Sequence, residues 1–166
     1  MSRLDSFIRR VSAQRDCLNM AKDMIADVPG PVLELGLGNG RTYDHLRDIF
    51  PDREIFVFDR RVAAHPECIP DDAHMILGDI TETLASALDR IGGQAAFAHC
   101  DIGTGEKESN ARLIATIAPM VDALMAPGGI VCSDQEYTVA RWEAQPLPET
   151  VRPGRYFVNR AKGQEK

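Results

Sequence analysis

Basic side chains are in the minority: 19 Lys and Arg stand against 25 Asp and Glu, for a formal net charge of −6. A large nucleic-acid surface rests on neutralising phosphates with Lys and Arg, so this balance argues against a nucleic-acid partner. The one basic concentration, Arg152, Arg155, Arg160, Lys162 and Lys166, reads as a solvated charged tail, with contact to an anionic partner as the alternative. No apolar run approaches the length that spans a bilayer, so no membrane partner is expected. Arg9, Arg10, Arg15 and Asp16 interrupt the apolar residues near the start, against an export signal. Cys17, Cys68, Cys100 and Cys132 are scattered without a Cys-x-x-Cys pair, which favours reduced structural thiols and a cytoplasmic protein over a disulfide framework. Internal repeats and low-complexity segments are also missing.

What is present is 166 residues with 44% hydrophobic content, the size and composition of one folded domain, residues 1–166. Residues 1–28 read as an amphipathic covering helix. Leu4, Phe7, Ile8, Val11, Leu18 and Ile25 recur near helical spacing, Ser2 and Asp5 are capping candidates, and part of the face is a possible roof for a substrate pocket. The run Val32-Leu33-Glu34-Leu35-Gly36-Leu37-Gly38-Asn39-Gly40-Arg41 then reads as a buried strand turning into a helix across a bare glycine loop. That helix runs from Arg41 to Phe50 and is stopped by Pro51; its first amides suit a carboxylate, with Thr42 as a further hydroxyl donor. A dinucleotide fingerprint wants its third glycine at position 41, where Arg41 stands. A second strand, Glu54 to Phe58, ends in Asp59, twenty-five residues after Glu34, where a carboxylate can accept both hydroxyls of a ribose.

The Gly-x-Gly-x-Gly spacing resembles motif I of the class I S-adenosylmethionine (SAM) dependent methyltransferases, and the later segments extend the likeness. His74 to Leu77 closes on Gly78-Asp79-Ile80, the step that in this family meets adenine, the acid taking the amino group and the apolar residue flanking the ring. Arg60 is placed to lie along the adenine or, equally, to face solvent. Ala126-Pro127-Gly128-Gly129 before Ile130-Val131-Cys132-Ser133 matches the family's helix, turn and fifth strand. No Asn-Pro-Pro-Tyr or Asp-Pro-Pro-Tyr step follows the fourth strand, which removes support for base methylation.

The resemblance implies an α/β fold, a Rossmann-like doubly wound sheet, mostly parallel with an antiparallel strand near one edge. A helix over Thr81–Ile91, a loop with at most one helical turn over Arg60–Asp72, and a later helix kinked or split at Pro119 complete the core. In the short C-terminal segment 134–166, Arg141–Gln145 and Arg155–Arg160 are candidates for an antiparallel pair, with no room for the long helix usual there.

Ligands bind at the C-terminal ends of such strands. The implied SAM site therefore comprises Glu34, Gly36, Gly38, Gly40, Thr42, Asp59, Arg60, Asp79, Ile80 and Asp101. Asp101 also serves, with Asp134, as candidate catalytic acid lining a shared acceptor pocket. Asp101 and Asp134-Gln135 resemble the divalent-metal set of catechol O-methyltransferases. Gln135 stands where that set has Asn, and its extra methylene displaces the carbonyl, which disfavours a metal. His99 and Tyr137 neighbour these acids as packing or hydrogen-bonding residues, with a role as base the alternative.

The expected activity is methyl transfer from SAM to an oxygen or nitrogen of a small-molecule acceptor. A non-catalytic SAM or nucleoside binding module and an NAD-dependent dehydrogenase are the rivals, the last disfavoured by Gly40. The acceptor, and whether the chain forms a homo-oligomer, are left open.

Overall fold

The computed structural model describes residues 2–163, so Lys166 of the basic segment lies outside the described residues. Helix α1 (Arg3–Met24) opens on a reciprocal cap: the Asp5 amide donates to Ser2 Oγ at 3.0 Å, and the Ser2 amide to Asp5 Oδ2 at 3.0 Å. Strand β1 (Val32–Leu35) leads through the glycine loop into α2 (Arg41–Ile49), followed by β2 (Ile55–Asp59), a 3₁₀ turn (Pro66–Cys68) and β3 (Met75–Leu77). Then come α3 (Ile80–Ala85), α4 (Ala87–Arg90), β4 (Ala95–Cys100), α5 (Lys107–Leu124), β5 (Met125–Ser133), β6 (Trp142–Ala144) and β7 (Phe157–Ala161).

The strands form one seven-stranded sheet in the order β3-β2-β1-β4-β5-β7-β6. β1 to β5 pair in parallel, and β7 runs antiparallel between β5 and the edge strand β6. The mostly parallel sheet with an antiparallel strand near one edge is as expected, and the C-terminal pair lies close to the expected segments. The central strands are apolar and buried on both faces, as a parallel sheet covered on both sides requires. Alternation sends Leu33, Leu35, Ala98, Cys100 and Val131 to the layer under α3 and α5, and Val32, Phe97, Ile130 and Cys132 to the layer under α1 and α2. Three of the four cysteines are buried and all four are free; burial pushes the thiols of Cys17 and Cys100 up to about 12.

Local expectations change in four places. The helix over Thr81–Ile91 is broken at Ser86, whose backbone departs from helical values between α3 and α4 and whose hydroxyl reaches back to the Glu82 and Thr83 carbonyls. α5 is not split at Pro119, because Ile117, Ala118, Val121 and Leu124 anchor it to the sheet on both sides of the proline. Leu4, Phe7 and Ile8 are exposed, since α1 meets the core only from Ala13 onward, through Cys17, Leu18, Ala21 and Ile25. The basic segment is not a free tail: Arg160 lies in β7 and donates to the Gly128 carbonyl, while Lys162 pairs with Glu143.

Candidate functional site

The glycine loop sits where β1 ends, and two of its glycines are required for different reasons. A Cβ on Gly36 (φ +99°) would lie 2.5 Å from the Asp101 backbone oxygen, so this glycine lets the loop pack against the end of β4. A Cβ on Gly38 (φ +53°) would meet nothing within 4 Å, so this glycine leaves open space above the loop. Gly40 is the left-handed N-cap of α2, which aims the helix's first amides at that space. Asp59 fastens the loop from the next strand, Oδ2 accepting from the Leu37 and Gly38 amides at 2.8 and 3.2 Å and Oδ1 from the Arg61 amide at 3.2 Å.

Above the loop lies a cavity of about 360 Å³. Its floor is Gly36 to Asn39, one wall is Arg41, Thr42 and His45 of α2, and its roof is Arg10, Val11, Gln14, Arg15 and Leu18 of α1, with Asp101 at the end of β4 facing in. α1 thus covers the sheet and also roofs this cavity. Asp101 is held by Gln14, whose Nε2 donates to Oδ2 at 2.9 Å, and the Arg10 guanidinium stands 3.8 Å from the same oxygen.

Beneath this roof is a buried polar network. The parallel register sets Glu34 of β1 beside His99 of β4, both without accessible surface, and His99 Nδ1 donates to Glu34 Oε2 at 2.5 Å. On its other side His99 Nε2 bonds the Tyr156 hydroxyl, with Gln14 Nε2 at 3.3 Å. The hydroxyl can donate to the neutral ring or accept from the imidazolium. Burial disfavours the charged ring, yet the Glu34 carboxylate, with Asp101 and Asp134 further off, holds the His99 pKa above its ordinary value. Glu34 is therefore a correction to the expected SAM contacts. Its carboxylate reaches no surface and meets His99 instead, which Gln14 contacts in turn.

The adenine-side candidates meet at the ends of β2 and β3 rather than in the cavity. Asp79 caps α3 by accepting from the Thr81 amide at 2.9 Å and the Thr81 hydroxyl at 2.6 Å, and its other oxygen takes the exposed Arg60 guanidinium at 3.3 Å. The Thr81 hydroxyl and amide hold the Asp79 carboxyl below its usual pKa. Ile80 is buried in the layer under α3 and α5, so its surface is spent on the core.

Asp134 does not join Asp101 in lining the cavity. The two strand ends do converge, the Asp134 amide donating to the Cys100 carbonyl at 3.2 Å, but the Asp134 side chain lies behind the Gly103 loop, where a Cβ on Gly103 would be 2.8 Å from Oδ2. Oδ2 accepts from Gln135 Nε2 at 3.0 Å, Oδ1 is buried without a partner, and burial raises the carboxyl pKa. Gln135 thus turns an N–H rather than its carbonyl toward Asp134. Among the described residues no group of three or more His, Cys, Asp and Glu is placed to hold a metal ion.

Sequence reasoning missed Gln14 and Arg10, which line the cavity, and Tyr156, which bonds His99. Gln14 left a trace, a polar residue on the helix stripe of Cys17, Leu18 and Ala21, whereas Tyr156 meets His99 across a separation that no local pattern encodes.

A glycine loop with a helix start aimed across it is a backbone arrangement that binds nucleotide-bearing ligands at strand ends. Comparison with known proteins agrees. A family model described as S-adenosyl-L-methionine methyltransferase matches residues 1–161. The structure of an S-adenosyl-L-methionine methyl transferase from Silicibacter pomeroyi DSS-3 is 45% identical, with a TM-score of 0.91 over 97% of this chain and 99% of that one. Human methyltransferase-like protein 13, solved with SAH, shares the fold at 12% identity, with a TM-score of 0.60 over 91% of this chain and 81% of that one. The antibiotic-resistance methyltransferase Kmr does so at 14% identity and a TM-score of 0.51, over 86% and 91%. A search of the curated proteins finds no match. The family match over nearly the whole chain and the 45% identical relative establish that this protein belongs to the SAM-dependent methyltransferases and uses SAM as its cofactor.

Proposed function

We propose that the cavity under α1 holds the methionyl end of SAM and that the methyl group passes to an oxygen or nitrogen of a small-molecule acceptor. The observation that carries this reading is that one cavity is lined at once by the glycine loop, the first turn of α2 and Asp101. In it the α2 amides and Thr42 hold the methionine carboxylate and Asp101 the ammonium. Asp59 takes the ribose through the Oδ1 lone pair left by the Leu37, Gly38 and Arg61 amides, and Asp79 and Arg60 border the adenine.

Bound SAM supplies an activated methyl group, so the chain's task is alignment. Gln14 fixes Asp101, Arg10 offsets its charge, and the carboxylate orients the acceptor and takes up its proton. Asp134, set behind the Gly103 loop, acts by charge and position rather than by contact. The net charge of −6 and the enclosed roof favour a small acceptor over a polynucleotide. No helix among the described residues is long and apolar enough to cross a membrane, and the free buried cysteines support a reducing compartment such as the cytoplasm.

Thermal melting with SAM, its demethylated product and NAD is a first test of the site. At a hundredfold excess over Kd, SAM is expected to add about 2.7 kcal/mol of stability while NAD adds none. Stabilisation by NAD alone would remove the reading. Labelled SAM offered to a panel of hydroxyl and amine acceptors, with RNA in parallel, then decides the acceptor class; transfer to RNA only would overturn it.

Asp59→Ala tests the ribose assignment through two readouts. SAM affinity should fall by on the order of 2 kcal/mol through lost charged hydrogen bonds. The melting temperature should fall as well, because the Leu37 and Gly38 amides lose their acceptor. An unchanged affinity would place the ribose elsewhere.

A further inference from the structure

A second cavity, of about 520 Å³, flanks α1 on the side away from the SAM cavity. Ser6, Arg9, Ser12 and Asp16 line it from the helix, and Arg152 and Arg155 from the loop before β7. The two flanks are distinct because Arg9 and Leu18, nine positions apart in a helix, project on opposite sides of it.

Three guanidinium groups around one concavity are unexpected in a chain with six more acids than bases. The single acid among them is already engaged: Asp16 Oδ2 accepts from the Thr150 hydroxyl at 2.7 Å, and Oδ1 pairs with Arg15 at 3.0 Å. Arg9 commits its Nε–H to the Asp5 carbonyl, and Arg155 one N–H to the Ser6 carbonyl. These bonds orient both groups and leave further donors on each. Arg152 forms no ion pair among the described residues. Three like charges around a concavity whose one acid is paired with Arg15 repel one another, and a ligand oxyanion relieves that repulsion.

We propose that this cavity is a binding site for the phosphate or carboxylate group of a small anionic ligand, with Arg9, Arg152 and Arg155 as its charge-assisted donors and the Ser6 and Ser12 hydroxyls as neutral ones. Guanidinium groups match both oxyanions because their planar fork presents two parallel N–H groups. The site is separate from the SAM cavity but adjoins it. Ser12 lines both, and Arg15 on the SAM side pairs with Asp16 on the other.

The test titrates the full chain with inorganic phosphate and, separately, with citrate, at ionic strength held constant with chloride, and follows binding by calorimetry. Saturable binding of at least one probe is expected, weakened about tenfold or more by Arg9→Gln or Arg152→Gln. Both side chains are exposed, so SAM affinity and melting temperature should stay at wild-type values in these variants. Arg152→Lys, which keeps the charge and loses the fork, should fall between wild type and Arg152→Gln. Binding of phosphate alone assigns a phosphate ligand, and binding of citrate alone a carboxylate. The site is overturned if neither probe binds saturably in the wild-type chain, or if the glutamine variants bind as well as it does. Because SAM binding is read in the same samples, failure here is distinguishable from failure of the SAM assignment.

Discussion

His99→Ala is expected to destabilise the protein by about 3–5 kcal/mol, measured by urea unfolding at neutral pH. The substitution leaves the Glu34 carboxylate inside the sheet with no accessible surface and no partner for Oε2, while Oε1 already lacks one. It also opens a cavity between β4 and Tyr156. The double variant Glu34→Leu with His99→Leu should regain most of the loss, because removing both partners of a buried pair costs far less than stranding one. A double variant as unstable as the single would show that packing, not the uncompensated carboxylate, sets the cost.

The pH dependence has a definite sign. Because the folded state raises the His99 pKa, the linkage contribution is fully present below the ordinary value, near 6.5, and is lost as pH rises through the raised one. The stability gap between wild type and His99→Ala should therefore be wider at pH 6 than at pH 9, and a gap that widens with pH would contradict the assignment.

This network also shows where reading the sequence stops. The acid in Val32-Leu33-Glu34-Leu35 and the histidine in Ala95 to Cys100 were each visible as polar residues in apolar strands. Their meeting depends on the parallel register of β1 with β4, which is set by the whole sheet. Glycine spacing, strand-end acids and the Pro-Gly-Gly turn were legible because each is a local pattern tied to a backbone need. Thus the succession of strands and helices, the glycine loop and the place of Asp101 after the fourth strand follow from short segments. By contrast, the engagement of Asp134 with Gln135 behind the Gly103 loop, the exposure of Leu4, Phe7 and Ile8, and the break at Ser86 depend on how far a neighbouring element reaches. Periodicity carries no information about that distance. The same limit applies to Asp101 and Asp134: sequence placed both acids at strand ends but not the loop between their side chains.

Gly38→Val is expected to weaken SAM binding by on the order of a hundredfold or more, about 2.7 kcal/mol, while the fold survives. A Cβ at this position meets no protein atom within 4 Å, so the main cost to the folded state is a non-glycine residue at φ +53°, roughly 1–3 kcal/mol. The space it enters is the cavity floor, and there a branched side chain takes the place of ligand atoms. Gly36→Ala should behave in the opposite manner. Its Cβ would lie 2.5 Å from the Asp101 carbonyl oxygen, so the loop and the end of β4 must separate, at about 2–4 kcal/mol of stability. Loss of SAM binding there would follow from loss of structure. The gain from SAM in melting curves distinguishes the two: Gly38→Val should melt a few degrees below wild type and gain nothing from SAM, whereas Gly36→Ala should melt lower still before any ligand is added. If Gly38→Val still gained full stabilisation from SAM, the cofactor would not lie over this loop, and the cavity under α1 would have to be assigned to the acceptor instead.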